Sequence, residues 1–247
     1  MELNKLYHGD CLEIMKDIPD GSIDMILCDL PYGTTASKWD TVIPFEPLWR
    51  QYERIIKEHG AIILTASQPF TSALVMSNPR LFRYSWVWNK RKPGNIFLAR
   101  YQPMKVHEDV LVFSKQSHKY YPQKIARETI IKSKNYGTGE SFGGNGQRED
   151  KVYENIDKNP VSIIDVSNAN QRGKVHPTQK PVPLFEYLIR TYTNEGETVL
   201  DNCIGSGTTA IAAHRTNRKW IGMELDKEYY ELAKKRIEVE TRQKRLF

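Results

Sequence analysis

The chain has 247 residues, 39% hydrophobic and 27% charged, with a formal net charge of +6 and a pI near 9.0. That length suits one substantial α/β core with an insert, and the charge favours a polyanion such as nucleic acid without requiring one. The N-terminus lacks a basic-then-apolar leader, and no apolar run approaches the roughly 18 residues of a membrane helix, so a soluble, cytoplasmic protein without membrane contact is expected. Cys11, Cys28 and Cys203 form no CxxC pair, and their odd number argues against a disulfide framework; no metal site is expected.

Residues 3–9 read as a short strand delivering Gly9-Asp10, followed by a helix through Leu12, Ile14, Met15 and Ile18. Asp10 either caps that helix or faces a ligand. The apolar run 23–28 is a buried strand ending in Asp29-Leu30-Pro31-Tyr32, which puts an acceptor and a flat ring at a sheet rim. Residues 33–40, with Trp39, form either a loop over a substrate or an ordinary surface loop. Residues 45–57 carry Leu48, Tyr52, Ile55 and Ile56 at helical spacing; Gly60 is read as the stop, and residues 61–64 begin another buried strand.

A helix starts at Gln68-Pro69-Phe70 and runs through Leu74, Val75 and Met76. The strand 84–89 then gives way to a loop, Lys90-Arg91-Lys92-Pro93-Gly94-Asn95. Between Arg80 and Val106 there are basic residues and no acids, interleaved with Phe82, Tyr84, Trp86, Trp88, Phe97 and Tyr101, a texture that suits phosphates and stacked bases. The tryptophans read as core, and Lys90, Arg91, Lys92 and Arg100 as nucleic-acid contacts. Residues 107–115 form a strand. From 116 to 174 the chain is polar and aperiodic around Gly143-Gly144-Asn145-Gly146-Gln147, with one strand at 161–166. It reads as a partly ordered insert that carries specificity, with Arg127, Lys132, Lys134, Arg148 and Arg172 as candidates for reading bases.

After His176-Pro177-Thr178-Gln179-Lys180-Pro181 come a helix through Leu184, Leu188 and Ile189, a strand at 198–201, a tight turn at 202–207 and a helix at 208–216. A strand at 220–224 and a long amphipathic helix from Lys227 through Tyr230, Ala233, Ile237 and Val239 complete the chain. Gly205 and Gly207 permit a sharp turn aimed at a ligand by the next helix. Glu224, about twenty residues on, stands where an acid takes the hydroxyls of an adenosine ribose. Ala210 occupies the third glycine position of a dinucleotide motif. Asp201 would repel a pyrophosphate yet suits an ammonium, so S-adenosylmethionine fits better than NAD; alternatively, Asp201 caps the turn.

With a methyl donor in place, the Asp29 carboxylate and the Leu30 carbonyl can accept the two N–H bonds of an exocyclic amine, freeing a lone pair otherwise delocalised into a ring. Tyr32 would stack on a base that has left the duplex. No cysteine follows a proline, so the nucleophile of an enzyme that methylates a pyrimidine carbon is missing.

Asp29-Leu30-Pro31-Tyr32 resembles the DPPY motif of amino-group DNA methyltransferases, and residues 201–209 (DNCIGSGTT) resemble their DPFxGSGTT cofactor motif. The HPTQKP segment at 176–181 and residues 220–226 with Tyr229 and Ala233 also match, in the order of the β subgroup. The resemblance implies a Rossmann-like, doubly wound, seven-stranded α/β sheet, circularly permuted, with an inserted target-recognition region. The expected division is a catalytic half at 1–115, the insert at 116–174 and a cofactor half at 175–247. It implies catalysis by Asp29, Leu30, Pro31 and Tyr32. Asp10 is expected near the cofactor adenine, Glu224 at the ribose and Lys180, Asp201 and Gly205 around the methionine half, with Cys11, Cys203, Ser206, Gly207, Thr208 and Leu225 also binding the cofactor.

Leu30 and Cys203 depart from the family pattern, at a proline and a phenylalanine respectively. The expected activity is methylation of adenine N6 in DNA. Cytosine N4 is the alternative amine, and a catalytically inactive DNA-binding relative the alternative class. The resemblance is also compatible with a homodimer and a cognate restriction nuclease.

Overall fold

The computed structural model describes residues 1–34, 40–134, 152–168 and 179–242, with side chains of 127–134 and 152–155 left aside. Trp39, Gly143 to Gln147, Arg148, Arg172 and His176 to Thr178 lie outside the described residues, as do the side chains of Arg127, Lys132 and Lys134. The chain forms two compact units, residues 1–121 with 162–247, and residues 122–161.

In chain order the elements begin with β1 (Lys5–His8), α1 (Cys11–Ile14), β2 (Ile23–Asp29), α2 (Phe45–Ile55), β3 (Ile56–Ala66) and α3 (Phe70–Ser77). Next come β4 (Phe82–Gly94), β5 (Lys105–Phe113), β6 (Ile125–Lys134), β7 (Val152–Lys158) and β8 (Ile163–Asp165). The chain closes with α4 (Val182–Tyr192), β9 (Thr198–Asp201), α5 (Thr208–Arg215), β10 (Lys219–Glu224) and α6 (Lys227–Arg242).

The main sheet has the order β1-β10-β9-β2-β3-β5-β4-β8. From β1 to β3 neighbours are parallel; β5 is antiparallel to both β3 and β4, and β8 is parallel to β4. Among the described residues the sheet therefore has eight strands rather than seven, because Ile163–Asp165 pairs with the outer strand, Val87 opposite Ile163. β6 and β7 form a separate antiparallel ribbon in the second unit.

The expected insert boundaries also move inward. Residues 116–121 stay with the main unit, where Lys119 N donates to His59 O at 3.2 Å and Tyr121 N to Thr191 O at 2.8 Å. Backbone pairing, which composition does not report, decides this boundary.

β2 is buried along almost its whole length, and its side chains alternate between two cores. Ile26 and Cys28 pack with Leu48, Tyr52, Ile55 and Leu74 from α2 and α3, while Met25 and Leu27 pack with Leu184, Leu188 and Ala212 from α4 and α5. Fully burying each such aliphatic side chain contributes about 1.5–3 kcal/mol, so the doubly buried centre anchors the sheet.

Gly60 does not stop a helix. α2 already ends when Ile56 turns extended (φ −73°, ψ 138°), and Gly60 lies inside β3 where the register with β2 shifts between Ile23 and Met25. A Cβ there would lie 2.9 Å from the Asp24 carbonyl, so the close approach requires glycine. β4 likewise runs on through Lys90, Arg91 and Lys92 to Gly94, where a loop is predicted. Among the described residues no helix is long and apolar enough to cross a membrane, and no group of three or more residues could hold a metal ion.

Gly196 (φ +77°) and Gly207 (φ +81°) share a left-handed conformation, but a Cβ at 196 meets nothing within 4 Å whereas one at 207 meets Ile237 Cγ1 at 2.9 Å. Gly196→Ala should cost roughly 1–2 kcal/mol of unfolding free energy from backbone conformation alone. Gly207→Ala should cost more, because α6 must also shift; equal urea midpoints for the two variants would contradict this packing.

Candidate active site

The strand order brings the chemistry to one edge. β2 and β9 are parallel neighbours, with Met25 opposite Val199, so Asp29 and Asp201 emerge on the same side. β10 and β1 continue the series, adding Glu224 and, just beyond β1, Asp10. These carboxylates line a single cleft of about 900 Å³, at the carboxyl ends of parallel strands where such folds bind ligands.

At the cofactor end, Gly205 (φ +53°) bends the turn so that its N–H donates to Glu224 Oε2 at 2.9 Å, while Asp226 N donates to Oε1 at 2.9 Å. A carboxylate offers roughly four acceptor positions, so Glu224 keeps capacity for a ligand's hydroxyls. Burial raises its pKa.

Asp201 is only 2% exposed and takes the capping alternative: Oδ1 accepts from Cys203 N at 3.1 Å and Oδ2 from the Thr209 hydroxyl. Burial pushes its carboxyl up to about 7. Asp10 caps α1 through Leu12 N at 2.8 Å and also lines the cleft, so the two roles foreseen for it coexist. Cys11, Cys203, Ser206, Thr208 and the exposed Leu225 are on the wall as well. Gly207 is not; it lies against Ile237, and its contribution is to the turn.

Asn202 and Arg236, neither foreseen, brace this end. Asn202 accepts from the Tyr52 hydroxyl at 2.5 Å, and Arg236 reaches from α6 to donate to Ser206 O at 2.8 Å, Ser206 Oγ at 3.0 Å and Thr208 Oγ1 at 3.2 Å.

At the catalytic end, Asp29 Oδ1 accepts from the hydroxyls of Tyr32 (2.8 Å) and Thr65 (2.5 Å), and Oδ2 from Lys180 Nζ (2.6 Å). Lys180, expected near the methionine half, lines the cleft and is buried between two carboxylates, with Glu108 Oε2 at 3.4 Å. Its backbone still meets the cofactor turn, its carbonyl accepting from Thr208 Oγ1 at 3.3 Å.

Glu108 Oε1 accepts from Lys90 Nζ at 3.0 Å, and its Oε2 is buried without a hydrogen bond among the described residues. Burial alone would raise Glu108, but Lys180 and Lys90 together hold it below the usual carboxylate range. Burial likewise opposes charge on Lys180, and Asp29 with Glu108 reverses that and raises its pKa.

One face of Tyr32 is covered by Phe70, with ring centroids 5.0 Å apart and 23° between planes. The loop behind Tyr32 is pinned by Asp40, whose carboxylate accepts from the N–H groups of Tyr32 (2.7 Å), Gly33 (2.9 Å) and Thr34 (2.8 Å).

The four residues expected to touch nucleic acid separate in space. Lys90 departs from the expectation: it is largely buried and committed to Glu108. Arg91 is exposed and holds Asp165 through both carboxylate oxygens at 2.7 and 3.1 Å. Lys92 and Arg100 are exposed. Glu108 and Asp40 escaped sequence reasoning. Glu108 had a weak signal, a charged pair opening an apolar strand; Asp40, a lone acid in a polar loop, had none.

Residues 23–235 match the model of a family described as DNA methylase, acting on N6 and N4 amines. The chain is 28% identical to the type II methyltransferase M.HpaI of Haemophilus parainfluenzae, over 96% of this chain and 74% of that protein. It is 27% identical to the DNA adenine methyltransferase YhdJ of Escherichia coli K12, over 96% and 84%. Among solved structures, the M1.HpyAVI–SAM complex superposes with a TM-score of 0.66 at 25% identity, covering 94% of this chain and 98% of that one.

Because the folded-state pKa of Asp201 stands near 7, above the usual aspartate value, its contribution to stability is present in acid and is lost as pH rises towards and through 7. The melting temperature of Asp201→Asn minus that of the unsubstituted protein should therefore climb between pH 5 and pH 8 in ligand-free scans. A flat difference would show that this carboxyl titrates normally.

Proposed function

The chain belongs to the N6 and N4 DNA methylase family, and from that membership we propose which of its residues carry the reaction. It is an S-adenosylmethionine-dependent DNA methyltransferase of Rossmann-like α/β fold that transfers a methyl group to the exocyclic N6 amine of adenine. The observation that carries the residue assignment is the sharing of one cleft by Asp29 and Glu224, at the ends of strands two positions apart in the sheet.

Bound S-adenosylmethionine supplies a methyl group activated by its sulfonium charge. Glu224 would hold the ribose hydroxyls with its remaining acceptor positions, with Asp10 beside the adenine and Cys11, Leu225 and the turn from Cys203 to Thr208 around the rest. The cleft volume and the backbone approach at Gly205 fit such a ligand. Asp201 shapes that turn.

The target amine is a poor nucleophile until its N–H bonds are drawn out of the ring plane. Three of the roughly four acceptor positions of Asp29 are taken by Tyr32, Thr65 and Lys180, leaving one on Oδ2. An amine N–H can donate there beside Lys180, whose ammonium is held from its other side by the unbonded Oε2 of Glu108 at 3.4 Å. Glu108 is thus a positioning residue: it keeps Lys180 available to Asp29 without letting it close the acceptor. The Leu30 carbonyl accepts the second N–H, and the face of Tyr32 away from Phe70 stacks the base.

The insert, narrowed to residues 122–161, would read the surrounding sequence. A homodimer and a cognate restriction nuclease, expected from the resemblance, complete the proposal.

Asp29→Ala should lower the rate of methyl transfer to DNA by at least about 10²-fold, the scale for losing one aligned group that stabilises developing charge. Its affinity for S-adenosylmethionine, measured by calorimetry, should change little. Full activity would end the assignment, and recovery of N4-methylcytosine instead of N6-methyladenine after digestion would move the reaction to the other amine. Glu108→Gln should lower kcat roughly tenfold with cofactor affinity unchanged; a fall in cofactor affinity alone would place Glu108 elsewhere in the mechanism.

A further inference from the structure

The aromatic residues between Arg80 and Val106 divide sharply in space. Trp86 and Trp88 are core, whereas Phe97 and Tyr101 are 93% and 86% exposed, beside the exposed Ile96, Leu98 and Met104. All five stand on the connection between β4 and β5. Contiguous apolar exposure of this kind marks an interaction site.

The tip is a formed turn. Leu98 N donates to Asn95 O at 2.9 Å, Ala99 N to Ile96 O at 3.2 Å, Tyr101 N to Leu98 O at 2.9 Å and Gln102 N to Leu98 O at 3.0 Å. Its own backbone bonds hold it as a 3-10 turn at Ile96–Leu98 that runs on into a further turn, with Phe97 and Tyr101 both exposed on it. Arg100 belongs to the same turn and Lys92 to the strand that leads into it, and no acid occurs between Arg80 and Val106.

The strands that carry the tip also build the base site. Trp88 and Glu108 are cross-strand partners and both line the cleft, while Gly94 pairs with Lys105 at the root of the tip. Six residues at about 3.3 Å each put that root within roughly 20 Å of the cleft wall.

We propose that residues 95–104 are a DNA wedge: Phe97 and Tyr101 stack against bases while Lys92 and Arg100 neutralise phosphates, offsetting the loss of stacking when the target base is extruded. This rests on the methyltransferase reading above. The occupant is duplex DNA rather than a second copy of the chain, because a two-fold contact through this tip would oppose like cations with no acid of the segment to balance them.

The test compares methylation of two duplexes containing the target site, one fully paired and one with the target adenine opposite an abasic position. The Phe97→Ala/Tyr101→Ala double variant should lose about 10- to 100-fold on the paired duplex, the scale of one or two lost base–aromatic stacks. It should recover to within a few-fold of the unsubstituted enzyme on the unpaired one, with cofactor affinity unchanged. Arg100→Ala should instead weaken both duplexes and reduce the slope of log affinity against log salt by about one.

Equal losses on both duplexes, or no loss, would overturn the wedge. So would conversion of a dimer to a monomer by the double variant in sedimentation, which would assign the tip to a second copy. If the unsubstituted enzyme methylates neither duplex, the methyltransferase reading itself fails and the wedge with it.

Discussion

Asp29 ends a strand buried on both faces, and its carboxylate there meets a buried ammonium. Lys180 supplies that ammonium, and Glu108 and Lys90 extend the arrangement into an alternating row of four charges. Each member alone would face a desolvation cost of several kcal/mol; in the row each meets a partner of opposite sign. The row also explains why residues far apart in sequence must converge. Asp29 comes from β2, Glu108 and Lys90 from neighbouring strands, and Lys180 from the segment just before α4, 151 residues from its partner. Sheet order, helix placement and the entry into α4 are all constrained by it.

The two ends of the cleft use their acids differently. Asp201 and Glu224 are both raised by burial and each accepts two hydrogen bonds, but Asp201 is buried behind the turn it caps whereas Glu224 is only part-buried and bonds backbone N–H groups alone. One is scaffold and the other remains available to a ligand. Asp29 stands between these conditions, crowded with donors but not filled. That state suits a group that must accept a hydrogen bond from a substrate without first losing one from the protein.

The basic, aromatic stretch of β4 shows how far local composition carries. Lys90 and Arg91 are adjacent and chemically alike, yet one completes a buried charge row and the other braces an exposed aspartate. The regular pleat breaks here: register with β5 shifts between Asn89 and Gly94 and Arg91 turns left-handed (φ +61°), so only the folded strand determines what each side chain meets. Trp88 and Phe97, equally apolar, part in the same way, one into the core and one out on a tip.

By itself the sequence determined the α/β class, most strands and helices, the glycine turn before α5, and the pairing of an acid-Pro-Tyr strand end with an acid after the next cofactor strand. These are short-range patterns, carried by hydrophobic period and by motifs a few residues long. Only the tertiary structure decided that the sheet has an eighth strand, that Gly60 sits in a strand, that Asp201 is scaffold, that Lys180 belongs to Asp29 and that Glu108 completes the site. Each of these depends on pairing across long sequence separations. Strand order sets those contacts, and no local window of the chain contains both partners.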